Sequence, residues 1–144
     1  MKAITIRQPW ATLVSLGEKQ YETRSWKTTW RGQLAIHAGK TVDKDAFQNV
    51  YVREALERHG YLTMADLPTS SVIAIAKVMN CWQAIEALPS GCILENGQHI
   101  TDPEWTFGDF TIGRYAWDME VIEQLKTPIP AKGKLSLWEW GETL

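Results

Sequence analysis

The chain has 144 residues, of which 44% are hydrophobic and 22% charged, a balance that fits one folded globular domain with a single core rather than a disordered protein. No apolar run approaches the roughly 20 residues needed to span a bilayer. The formal net charge of -2 excludes a protein that coats itself onto nucleic acid by bulk charge.

Met1-Lys2-Ala3-Ile4-Thr5-Ile6 enters an alternating pattern at once, so no signal or transit peptide is expected and the chain reads as cytoplasmic. Ala3 to Arg7 is predicted as a strand, with Ile4 and Ile6 on one face and Thr5 and Arg7 on the other. Pro9 suits the first position of a helix, and Trp10, Leu13, Val14 and Gly17 recur at helical spacing, with Gly17 closing it. A second strand is predicted over Gln20 to Trp26, placing Gln20, Glu22, Arg24 and Trp26 on one side and Tyr21 and Thr23 on the other. After a turn at Thr28 to Gly32, Leu34, Ile36 and Ala38 mark a third strand, ended by Gly39. Asp43 to His59 reads as a second helix, with Gly60 as its stop.

Val72 to Val78 is nearly all apolar, as in a strand covered on both faces or lining a closed barrel. Asn96-Gly97 between Cys92-Ile93-Leu94 and His99-Ile100 is a two-residue hairpin signal. Thr101 to Gly113 reads as a loop, Tyr115 to Val121 as another strand, and the residues around Leu137 to Trp140 as the last. Six or seven short strands with two main helices imply an α+β fold, a mixed and partly closed β-barrel flanked by those helices.

Charge is unevenly spread. Residues 1–40 carry a net of +5, so the rest must carry -7, which points to a local anionic partner for a basic lobe. The two cysteines, Cys81 and Cys92, lack metal-ligand spacing, and the three histidines assemble no metal cluster. No metal or other cofactor is implied, and the oligomeric state is open.

The densest chemistry lies at Lys19, Glu22 and Arg24, directly after the helix-closing glycine. Lys19 is placed to meet a phosphate or base carbonyl, or to act as a base or nucleophile if desolvation lowers its pKa. Glu22 and Arg24 share a strand face two residues apart. A structural ion pair and a ligand-binding pair are both open readings, with Glu22 accepting from a base edge and Arg24 forking onto phosphate in the second. Gln8 and Trp10 stand at the helix start, Gln8 as a possible base contact and Trp10 as core or stacking surface. Trp26, His37, Asp109 and Tyr115 complete the candidate ligand set: an aromatic in the basic lobe, a histidine on a strand, a loop carboxylate and a tyrosine beside Arg114.

Ile6-Arg7-Gln8-Pro9-Trp10-Ala11, then Gly17-x-Lys19-x-x-Glu22-x-Arg24 with Ser25-Trp26, Arg31-Gly32 and Ile36-His37-Ala38, resemble the ASCH (activating signal cointegrator homology) domain. Phe107-Gly108-Asp109, Gly113-Arg114-Tyr115-Ala116-Trp117, Pro130-x-x-Gly133 and Leu137-Trp138 resemble its C-terminal half, so the resemblance spans nearly the whole chain, 1–144. It implies a PUA-like barrel with a cleft beside the first helix, binding RNA or a nucleotide- or nucleoside-like ligand in RNA metabolism or translation. An alternative implied by the family is a hydrolase acting on N4-acetylcytidine-like nucleosides or on RNA, with Lys19 and Glu22 catalytic. Lys19 matches the lysine of the acetylcytidine branch, and Glu22 stands where that branch has a threonine.

Overall fold

The computed structural model describes residues 1–141. An eight-stranded sheet carries three α-helices. The order is β1 (Lys2–Gln8), α1 (Trp10–Ser15), β2 (Tyr21–Arg24), β3 (Gly32–Val42), α2 (Val50–Glu57), β4 (Ser71–Leu88), β5 (Gly91–Leu94), β6 (His99–Ile100), α3 (Glu104–Phe107), β7 (Tyr115–Pro130) and β8 (Leu137–Glu139). The strands line up β2-β7-β4-β3-β1-β8, with β5 and β6 branching from β4. β1 runs parallel to β3 and every other pairing is antiparallel.

The sheet is mixed, as expected, but its hydrogen-bonded path is open rather than closed into the expected barrel. Among the described residues it ends on β2, which pairs only with β7, and on β8, which pairs only with β1. β4 and β7 are far longer than the sequence pattern indicates, at 18 and 16 residues. Register shifts between Val72 and Ala74, Ile75 and Ala76, and Val78 and Asn80 interrupt the β4–β7 ladder and break the period-2 signal.

Alternate residues of β1, β3 and β4 are buried on both faces. Ile4, Leu34, Ile36, Ala74, Ala76 and Val78 pack with Val14 of α1 and with Trp117 in one cluster. Ala3, Ala35, Val72 and Ile75 pack with Trp138 and Trp140 in another. Leu13 of α1 joins Val52, Ala55 and Leu56 of α2 and Phe107 of α3 in a third, so the cluster fixes all three helices together.

Two local details bear on the site. The Gln8–Pro9 peptide is cis and Pro9 caps α1 instead of forming its first residue. Gly17, at φ 74°, lets the Gly17 and Glu18 N–H groups return to the Val14 and Leu13 carbonyls, a Schellman closure that turns the chain inward at Lys19. The predicted second helix resolves into a 3-10 turn at Ala46–Gln48 and α2, whose Asn49 side chain accepts from the Tyr51 and Val52 N–H groups.

Candidate functional site

Lys19 follows the Gly17 turn and is only 2% exposed. Its ammonium donates to the Tyr21 carbonyl at 2.5 Å and the Phe107 carbonyl at 2.8 Å, and lies 4.0 Å from Glu22 Oε1. The Trp10 ring centroid is 6.0 Å away. Burial pushes the Lys19 pKa below the ordinary lysine range; the charges of Glu22 and Glu104 oppose that shift, while Arg24 adds to it.

Glu22 and Arg24 point to the same side of β2, as strand alternation requires. Arg24 Nη2 donates to Glu22 Oε2 at 2.8 Å and to the Thr5 carbonyl at 3.0 Å. Glu22 is thus held between two cations, one buried and one partly open to solvent, with Arg24's side chain 24% exposed against 1% for Lys19.

These groups line a cleft of about 510 Å³ whose walls come from β1, the β2 strand and the α3 segment. Of the sequence-derived candidates, Trp10, Lys19, Glu22, Arg24 and Asp109 line it. Arg7 and Arg114 line it as well. Asp109 accepts from Thr111, which lowers its pKa, and its carboxylate stands 3.4 Å from Arg114 Nε. Arg114 also donates to the Asp109 carbonyl at 3.0 Å and reaches the Thr23 carbonyl at 3.4 Å. Thr23 Oγ1 accepts the Asp109 N–H at 3.0 Å, tying the Phe-Gly-Asp loop to β2.

The other candidates lie outside this cleft. Gln8 is fully buried: its Oε1 accepts the Thr12 N–H at 3.0 Å and its Nε2 donates to the Pro68 carbonyl at 2.7 Å. Its amide therefore stitches α1 to the connector before β4. Trp26 packs edge-on against Trp117 with centroids 4.8 Å apart, and Tyr115 packs on the same core cluster. His37 is buried, with Nδ1 3.2 Å from Thr5 Oγ1 and Nε2 2.7 Å from the Ala131 carbonyl.

Glu104 is a contributor that the sequence did not single out. Its carboxylate accepts the Gln20 N–H at 2.8 Å and the Tyr21 N–H at 3.3 Å, fixing the start of β2. Burial raises its pKa, opposed by the Lys19 charge and by those two hydrogen bonds. Its only sequence signal was an acid following Asp102-Pro103, a pattern that opens short helices.

Among the described residues, no group of three or more His, Cys, Asp or Glu is placed to hold a metal ion, and no helix is long and apolar enough to cross a membrane. Both cysteines are buried free thiols.

Fold and cleft together define a mixed α+β protein with a charged cleft between the first helix, an edge strand and a short helical loop. A comparison with protein-family models matches residues 4–126 to the ASCH domain, and the chain belongs to that family. Membership connects it with RNA in general terms. A comparison with curated proteins gives no match.

Proposed function

We propose that the chain binds RNA or a nucleotide- or nucleoside-like ligand in the cleft formed by Trp10, Lys19, Glu22 and Arg24. The observation that carries this reading is the convergence of Arg7, Arg24 and Arg114 on one cleft of about 510 Å³ with a half-buried indole at its wall. Partly exposed guanidinium groups fork onto phosphate or base carbonyls, and an aromatic face stacks on a base. Glu22, fixed by Arg24, is the acceptor for an exocyclic amine or ring N–H. Lys19 has two of its three donors occupied by carbonyls and acts as a fixed charge that shapes the cleft from below. Titration calorimetry with nucleosides, nucleoside monophosphates and short single-stranded RNA tests the reading. Binding weakened about tenfold or more by R24A supports it, and no heat with any of these ligands overturns it.

A second reading, hydrolysis of an amide on a modified pyrimidine or of an RNA phosphodiester, draws on one specific observation. A desolvated lysine with a lowered pKa lies 4.0 Å from a carboxylate, the pairing from which a base or nucleophile is made. Chromatography of N4-acetylcytidine and RNA after incubation decides it. Turnover lost in E22Q supports catalysis; intact substrates with the unaltered protein remove it.

A further inference from the structure

A second cleft, of about 390 Å³, lies along β1 and β3. Thr5 and Arg7 line both clefts, so the two are contiguous along this strand. Four cations line the second one, Arg7, Lys40, Lys132 and Lys134, and among the described residues no carboxylate does. The nearest acid to Arg7 is Asp43, at 4.0 Å from Nη2 and itself on the wall of the first cleft. A cleft that gathers three lysines beside Arg7 in a chain of net charge -2 is costly in self-repulsion and contributes nothing to the core.

The segment that carries Lys132 and Lys134 is held in place by specific contacts. The Ala131 carbonyl only accepts, so His37 Nε2 carries a proton and donates to it at 2.7 Å. Nδ1 lies in hydrogen-bond contact with Thr5 Oγ1 at 3.2 Å, and that oxygen accepts from Trp138 Nε1 at 3.1 Å. The Ala131 N–H donates to the Ser70 carbonyl at 3.0 Å. Two residues on, the backbone at Gly133 passes so close that a Cβ there would lie 2.6 Å from Thr5 Oγ1 and 2.8 Å from His37 Cε1. His37 and Gly133 thus press a lysine-bearing strap onto β1. Leu135, 93% exposed, extends the strap as an apolar surface beside the cations.

We infer that this second cleft is a backbone subsite for single-stranded RNA, taking the phosphates that continue from a nucleotide seated in the first cleft. Arg7 is the shared cation that meets the connecting phosphate. His37 is a positioning residue, acting through the strap and not through the ligand. The inference rests on the binding reading above and narrows it: the ligand is a strand of several nucleotides, and a free nucleoside fills only part of the site.

Fluorescence anisotropy with single-stranded RNA of one, two, four and twelve nucleotides, at several salt concentrations, tests it. The unaltered protein is expected to bind the four-nucleotide strand at least tenfold more tightly than the monophosphate. The double substitution K132A/K134A is expected to remove most of that gain and to leave monophosphate binding within twofold. Loss of two phosphate contacts lowers the slope of log K against log salt by about 1.4. R24A weakens both short and long ligands. Equal affinity for one nucleotide and four, or an oligonucleotide affinity and salt slope unchanged by K132A/K134A, overturns the second subsite and leaves the first cleft standing. Heparin competing as well as RNA makes the surface a general polyanion patch and also overturns it. No binding by the unaltered protein to any length overturns the cleft reading and this inference together.

Discussion

The Arg24 guanidinium holds the Glu22 carboxylate at 2.8 Å and, through the same Nη2, the Thr5 carbonyl of β1 at 3.0 Å. One nitrogen thus joins β2, at one end of the sheet, to β1, next to the last strand at its other end, across the mouth of the cleft. That geometry keeps the pair's two roles together: the ion pair is structural, and it is also what presents Arg24 to a ligand.

Removing Arg24 leaves Glu22, whose side chain is 10% exposed, facing only the more distant Lys19. R24A is therefore expected to lower unfolding free energy by about 1–2 kcal/mol, because a largely buried carboxylate loses its closest donor. E22Q retains an acceptor for Arg24 and removes the charge, so it should cost less than R24A. Urea denaturation of the two variants against the unaltered protein checks the order.

Lys19 gives a sharper prediction, with a pH signature. K19M strips donors from two carbonyls and a counter-charge from Glu22, an expected loss of about 2–4 kcal/mol. Its folded pKa lies below the unfolded value, so between the two the unfolded chain binds more protons. Stability then rises with pH through that window, up to the unfolded lysine value near 10.5. Urea midpoints compared from pH 7 to 10 should show this rise in the unaltered protein and its absence in K19M.

Tyr21 acts in the opposite direction at higher pH. Burial and the charges of Asp118 and Glu104 raise its hydroxyl from 10.0 to about 12. The folded chain therefore keeps a proton that the unfolded chain has lost, and stability falls as pH climbs from about 10 towards 12. Y21F should flatten that fall. Thermal melts across the alkaline range give the comparison.

Glu104 separates hydrogen bonding from charge. E104A leaves the Gln20 and Tyr21 N–H groups without their acceptor and is expected to cost about 1–2 kcal/mol. E104Q keeps an acceptor oxygen and drops a charge that burial disfavours, so it should fall well short of that loss. Denaturant titrations at pH 7 measure both.

A methyl group at Gly133 tests the strap without touching a charge. G133A drives a Cβ against Thr5 and His37, with an expected cost of about 1–3 kcal/mol and a strap lifted from β1. Thermal denaturation reads the first effect. Histidine ring resonances of His37, displaced relative to the unaltered protein, read the second.

Much of the frame is legible in the sequence because local rules dominate there. Ile4 and Ile6 alternate into the core, Gly17 closes its helix with positive φ, and Asn96-Gly97 joins two short paired strands. The central ladder is harder to read, because its register shifts insert residues that erase the period-2 pattern in β4 and β7. An open sheet and a closed barrel also share the same strand patterns; which pairings form at the ends is decided by contacts far apart in sequence. The cleft shows the same division. Glu22 and Arg24 share a face by alternation alone. Lys19's burial depends on the Phe107 carbonyl, 88 residues away, and Gln8's structural role on the Pro68 carbonyl, 60 residues away, neither of which leaves a local trace. Glu104 leaves no pairing signal in the sequence because its partners are backbone N–H groups.

β2 is an outermost strand of an open sheet, and such strands invite other chains to add themselves, the first step toward aggregation. Three of its outward backbone groups are already occupied by charged side chains of the same molecule. Glu104 takes the Tyr21 N–H, Lys19 the Tyr21 carbonyl, and Arg114 the Thr23 carbonyl. Two bases that line the cleft therefore also seal this margin, with Glu104 beside them, so that substitutions made to alter ligand binding expose an adhesive strand. Loss of solubility in Lys19 or Glu104 variants would then report an unsealed edge as well as a weakened fold.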